Sequence, residues 1–458
     1  MNIKKIYIAI IILAMVLFLS SSALSKCSSS VEGNNAGEHG EEESVVEDES
    51  GDGAADDRNG GGAETEKDYQ IAYFQVGSEE SSMHFEHRVA KIIAINPDGN
   101  DENIIYTDLN EKYDLSRIYG VSPDSSKISC RFYEGGRGAY GSLSVIDVTN
   151  GEMKAVKEFD YTDSESMDMM ADIYGRPVWS HDSKNIAYET VINPYADNFS
   201  NGGISIVNID TGDISEIDVN MEAFSFENEV FLDPVLFSAD NGRLFNILNT
   251  RNPKMEEGVV HGYFTRNEKL VAADISSGAA FEIFDISQFN DMEASFDNFN
   301  LFTQQNKIVF HVLGDFEEDS DIWICDSDGS NLTRLTDDAE LREQQPSILD
   351  VPDSTGLITY VGVGRYGTIA YDFNAGNIYI INMDGSGKVK IDNEVDASKP
   401  IFSPDGRYAA FIGYVFDEAL ENIQSRQIVV YDTRSGEIRI VASGSGIFDL
   451  IGWIKTTN

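Results

Sequence analysis

Phe402-Ser403-Pro404-Asp405-Gly406-Arg407-Tyr408-Ala409-Ala410-Phe411 is the stretch on which the fold turns. The apolar residues before Ser403 and those from Tyr408 onward read as strands. Ser-Pro-Asp-Gly between them is turn chemistry: Ser and Asp side chains fold back onto the backbone, and Gly accepts positive φ. Further on, Ile428-Val429-Val430-Tyr431-Asp432 is a β-branched run ending in an acid, with Gly436 shortly after and another apolar stretch behind it. That is a second hairpin.

Both elements recur. Runs ending at Asn96, Asp147, Asn208, Asp274, Asp326, Asn382 and Asp432 are each followed by a glycine, at Gly99, Gly151, Gly212, Gly278, Gly329, Gly385 and Gly436, spaced 51 to 66 residues apart. The Ser-x-Asp element appears as Val121-Ser-Pro-Asp124, Trp179-Ser-His-Asp182 and Phe237-Ser-Ala-Asp240. Val351-Pro-Asp353 is a weaker form, and the unit at Phe302 keeps only Thr303-Gln-Gln-Asn306. Each unit therefore holds four antiparallel strands, and units of this period make the blades of a β-propeller. The first unit, from Gln70-Ile-Ala-Tyr-Phe, lacks an inner strand, and Phe448-Asp-Leu-Ile-Gly-Trp453-Ile supplies one. The expected fold is all-β: a seven-bladed propeller over 69–458, its first blade closed by the C-terminal strand, which removes the free sheet edge at the seam.

Phe402 to Phe411, together with Ile322-Trp-Ile-Cys-Asp-Ser-Asp-Gly-Ser-Asn-Leu-Thr-Arg-Leu-Thr336, resembles the repeats of TolB-type, WD40-like (PD40) propellers. Prolyl oligopeptidase-type peptidases carry similar repeats in their propeller domains. The resemblance covers about 85% of the chain and implies a binding platform or a substrate filter. TolB itself has six blades, so the count of seven departs from it.

The N-terminus reads as an export signal: Lys4 and Lys5, an apolar run from Ile6 to about Leu19, then small residues up to Cys27. Leu24-Ser25-Lys26-Cys27 resembles a lipobox, which implies lipidation of Cys27. Lys26 departs from that pattern, so cleavage near Ala23 or Ser25, or an uncleaved anchor in 1–27, stays open. Between Glu32 and Asp68 there are fourteen acidic and two basic residues. Such a composition buries too little apolar surface to order itself, so 28–68 is expected to be a disordered tether. The whole chain carries a net charge of −46, which excludes a nucleic-acid partner, and no membrane contact is expected beyond the anchor.

Within the repeat, long loops fall on the face opposite the Ser-x-Asp and Gly turns. The residues expected to contact a ligand there are Arg137, Tyr140, Tyr195, Tyr263, Arg365 and Tyr366, with Thr250 to Arg266 read as one long loop. Gly136 to Gly141 and Gly362 to Gly367 match G-x-G-x-x-G, but strands follow rather than helices, so nucleotide binding is not expected. Asp326 to Asn331 is read as a turn rather than a calcium loop. Cys130 and Cys325 are expected as buried free thiols. No cofactor and no metal site is expected. His84-Phe-Glu-His87 is too weak a signal for one, and the six His are too dispersed to favour the alternative, a metal-dependent oligosaccharide lyase. No G-x-S-x-G elbow occurs, which argues against a hydrolase. The leading expectation is a non-enzymatic, extracytoplasmic monomeric ring, membrane-anchored or secreted, that binds an envelope protein, a peptide or a glycan.

Overall fold

The computed structural model describes residues 69–76, 89–108, 113–134, 140–160, 171–192, 200–220, 224, 230–256, 259–289, 295–313, 320–351, 356–364, 375–417 and 422–456. The readings made for 1–68, Cys27 included, lie outside these. The described strands form seven sheets of four, each antiparallel and in simple up-and-down order. In blade 1, Phe448–Lys455 is the innermost strand and Tyr69–Val76 pairs with it, followed outward by Ala90–Ile95 and Asn103–Thr107. The last strand thus closes the first blade, as the sequence implies. The innermost strands of blades 2 to 7 are Tyr113–Val121, Ala171–Trp179, Val230–Phe237, Ser295–Phe302, Leu341–Leu349 and Asp396–Phe402. A 3-10 turn, Ile286–Phe289, follows the outer strand of blade 4.

The core lies between blades rather than inside one. Strand side chains alternate faces, so each blade offers an apolar layer to both neighbours. In blade 5, Ile308 and Phe310 pack toward blade 4 with Phe245 and Phe284, while Val309 packs toward blade 6 with Tyr360. In blade 7, Ile412 faces the Trp453 strand of blade 1 and Phe411 faces blade 6. Cys130 and Cys325 are buried free thiols within these layers. Burial pushes the Cys130 thiol up, and pushes that of Cys325 up to about 12.

The Ser-x-Asp turns are built alike. The hydroxyls of Ser122, Ser180, Ser238 and Ser403 donate to the second-following Asp at 2.5–2.6 Å and accept the N–H that opens the next strand at 2.9–3.0 Å. The fourth turn residue has positive φ: Ser125, Ser183, Asn241, Asn306 and Gly406. Neighbouring turns are also tied together. Asp124 N–H donates to Ser183 Oγ, and His181 N–H to Asn241 Oδ1.

Blade 5, which has no Asp of its own here, borrows one from blade 6. Asp350 Oδ2 accepts both the hydroxyl (2.5 Å) and the N–H (2.9 Å) of Thr303. Asp350→Ala should therefore cost about 1–2 kcal/mol, as loss of a charge-assisted acceptor does. Chemical denaturation beside the Thr303→Val variant checks this, since the two losses should overlap rather than add.

One expectation is corrected. Thr250 to Arg266 is not a loop: Arg243–Glu256 and Val259–Asp274 form one long hairpin, paired as far as Glu256 with Val259. Continued pairing satisfies backbone N–H and C=O groups that a loop would leave to solvent. Asp326 is, as expected, a turn residue: its carboxylate accepts from Lys307, Asn331 and Ser330.

Candidate functional site

An innermost strand has one paired edge, while its other edge faces the channel. A proline there removes no ladder hydrogen bond, and Pro177, Pro234, Pro346 and Pro400 all sit on innermost strands. Each of the seven innermost strands also has an irregular register, the mark of a β-bulge. In blades 5, 6 and 7 the bulge holds Asn298, Gln345 and Lys399 at φ +52 to +55. A bulge re-aims the side chains beside it.

Just N-terminal to the bulges, one residue per blade lies at the same height, opposite equivalent positions of the second strands. These are Asp449, Arg117, Tyr174, Asp233, Asp297, Gln344 and Ser398 in blades 1 to 7. The layer is polar throughout. Arg176, in the bulge of blade 3, and Lys399, in that of blade 7, adjoin it. Arg117, Arg176, Asp297 and Lys399 are exposed. Neighbouring blades cover both faces of an innermost strand, so that exposure is to the channel.

These charges are held unequally. Lys399 Nζ lies 2.5 Å from Asp449 Oδ2, and its backbone N–H donates to Gln345 Oε1 at 2.9 Å. Arg117, Arg176 and Asp297 form no ion pair among the described residues. The Arg117 guanidinium lies 5.7 Å from the centre of the Tyr119 ring, and Asp297 Oδ1 accepts only the adjacent Asn298 N–H.

Two buried titratable groups back the acidic side. Glu268 accepts the Phe296 N–H at 2.8 Å. Burial pushes its carboxyl up to about 7; the Phe296 N–H opposes this, and the charges of Asp297 and Asp233 add to it. His311 pairs in register with Asp297. Burial pushes its imidazole down to about 4, with Asp297 opposing and Arg342 adding. At neutral pH it is uncharged, and its Nε2 has no hydrogen-bond partner among the described residues. No set of three or more His, Cys, Asp or Glu side chains converges as a metal site among the described residues.

The Glu268 carboxyl titrates near 4.3 in an unfolded chain, so the fold binds its proton more tightly. Its stabilising contribution is full below about 4.3 and is lost as pH rises through about 7. Glu268→Gln keeps an acceptor for Phe296 and removes the titration. It should melt close to the parent at pH 5 and higher at pH 8, by roughly 2–3 kcal/mol at most. Melting curves with the same pH profile for both proteins would contradict this.

Of the ligand-contact residues expected from sequence, Arg137, Tyr195, Arg365 and Tyr366 lie outside the described residues. Tyr140 opens the third strand of blade 2, paired with Glu134, and Tyr263 lies in the long hairpin of blade 4, paired with Pro253. Neither is in the channel layer, which sequence reading missed. Its signal was present: a charged or polar residue shortly before a proline in Arg176-Pro177, Asp233-Pro234, Gln345-Pro346 and Lys399-Pro400.

No family model and no curated protein matches the chain. Solved structures do. An oligogalacturonate lyase in complex with manganese is similar at a TM-score of 0.51 and 15% identity, over 82% of this chain and 86% of that one. The β-propeller domain of the Trilobed protease from Pyrococcus furiosus is similar at 0.50 and 13%, over 83% and 97%. TolB from Acinetobacter baumannii is similar at 0.40 and 14%, over 70% and 63%. Identities this low speak to the fold alone.

Proposed function

We propose that the protein is a binding module of the cell envelope, held outside the cytoplasm by its N-terminus, whose channel layer engages an envelope protein, a peptide or a glycan. One observation carries this reading: exposed Arg117 and Asp297 stand in a single layer with exposed Arg176 beside it, none in an ion pair among the described residues, on strands fixed by blade closure. Charged groups preorganised in a concave channel focus field and favour a complementary ligand.

The test is titration of the purified protein with peptide and glycan panels. Saturable binding that weakens with salt and with Arg176→Glu, with the ligand recovered intact, is the expected result. Ligand consumed with turnover would replace the binding module with an enzyme. The tether is tested by fractionating cells that carry Cys27→Ala. Movement from the membrane to the soluble fraction is expected, whereas retention in the membrane would assign the anchor to the apolar run.

A further inference from the structure

In the channel layer, opposite charges meet in one place and stay apart in another. Lys399 of blade 7 and Asp449 of blade 1 close onto each other at 2.5 Å. Arg117 and Arg176, in adjacent blades 2 and 3, are exposed and have no ion pair among the described residues. Two blades on from Arg176, exposed Asp297 likewise has none. Asp233 and buried Glu268 lie near it, close enough for the charges of Asp233 and Asp297 to act on Glu268. The exposed charges without an ion pair among the described residues therefore divide into a cationic sector on blades 2 and 3, Arg117 and Arg176, and an anionic one on blade 5, Asp297. In a chain of net charge −46, any anionic ligand would be repelled by the surface as a whole. The two arginines make a local exception beside an acidic wall. Neither a simple anion nor a simple cation satisfies both sectors.

We infer that the channel binds a zwitterionic ligand carrying a carboxylate and an ammonium group, the chemistry of a short peptide with free ends, with its carboxylate on Arg117 and Arg176 and its ammonium on Asp297. Guanidinium groups bind carboxylates through paired N–H donors. The ammonium needs an accessible carboxylate, and Asp297 is the exposed one on that side. Bridging the sectors gives each of the three charged side chains an oppositely charged partner, which a ligand charged at one end cannot do. This inference rests on the binding-module reading and names its ligand class.

The test is calorimetric titration of the purified protein with triglycine, N-acetyl-triglycine and triglycine amide. Triglycine should bind, and blocking either end should weaken it at least tenfold. Arg117→Gln/Arg176→Gln should abolish the preference for triglycine over its amide while leaving that over the N-acetyl form. Asp297→Asn should do the reverse. All three residues are exposed and form no ion pair among the described residues, so the variants should melt with the parent, which a thermal scan confirms. Equal binding of the capped and free peptides, or no triglycine binding under conditions that detect a Kd of about 1 mM, would overturn the inference. Binding of a singly charged peptide or glycan instead would overturn it and leave the binding module intact. Failure of every probe together with turnover would remove both.

Discussion

Glu343→Ala is expected to lower the unfolding free energy by about 3 kcal/mol, the low end of the range for a buried charge pair that loses one partner. Glu343 is fully buried between blades 5 and 6. Its carboxylate accepts from Lys388 Nζ at 2.9 Å and from the Tyr360 hydroxyl at 3.2 Å. Its backbone is tied to Ser320 of blade 5 in both directions, N–H to O at 2.7 Å and O from the Ser320 hydroxyl at 3.1 Å. Alanine leaves the Tyr360 hydroxyl without its acceptor in an apolar layer, and leaves Lys388 with Asp338 at 3.4 Å and the ring of Tyr379 at 4.9 Å. The side chain of Lys388 is 35% exposed, so water recovers part of the loss; hence the low end. Glu343→Gln keeps an acceptor for Tyr360 and should cost less. Urea denaturation of the three proteins checks the order, and an alanine variant within about 0.5 kcal/mol of the parent would contradict it.

The second large effect is expected at the seam. Trp453→Ala should cost about 3–5 kcal/mol, as Trp-to-Ala changes in a packed core do. Trp453 lies on the innermost strand of blade 1 but packs across onto blade 7. Its ring stacks on Tyr408 with centroids 6.1 Å apart, and its indole N–H donates to the Ile401 carbonyl at 3.1 Å. The variant therefore weakens the closure between blades rather than one sheet alone. Protection of Tyr69–Val76 amides in hydrogen exchange should fall first. Trp179 is the equivalent residue of blade 3, with its indole on Ser129 Oγ at 3.0 Å. Trp179→Ala should be destabilising while leaving the protection of blade 1 in place. If both variants lost protection at blade 1 equally, Trp453 would have no special part in closure.

The blades were legible in sequence because their turns are local chemistry. Ser403, Asp405 and Gly406 sit within four residues, and the Ser403 and Asp405 side chains bond each other and the N–H groups of Arg407 and Tyr408 just beyond. Where a partner comes from another blade, the sequence is silent: Thr303 looks like a degenerate turn because its Asp lies 47 residues on. The hairpin of blade 4 was hidden by Asn249-Thr-Arg-Asn-Pro253, polar residues of loop character that nonetheless pair through the backbone. The channel layer was missed for a different reason. Its residues are scattered along the chain, and only ring closure brings them to one height. Asp297 has no local feature that separates it from ordinary surface charge, and Arg176 has only the proline after it. The recurring proline marks the strand as one-sided, yet does not say what its open side faces.

Closure by the last strand also sets a timetable. Tyr69–Val76 finds its inner partner only when Phe448–Lys455 has been made, about 370 residues later. At ordinary rates of synthesis the gap is roughly 20–70 s. Until then that strand offers an unsatisfied edge to any other chain nearby. A contact so distant in sequence is also slow to form once both ends exist. The growing chain therefore has a long interval in which the ring cannot lock. The aggregation-exposed phase of that interval ends only when the final blade shuts.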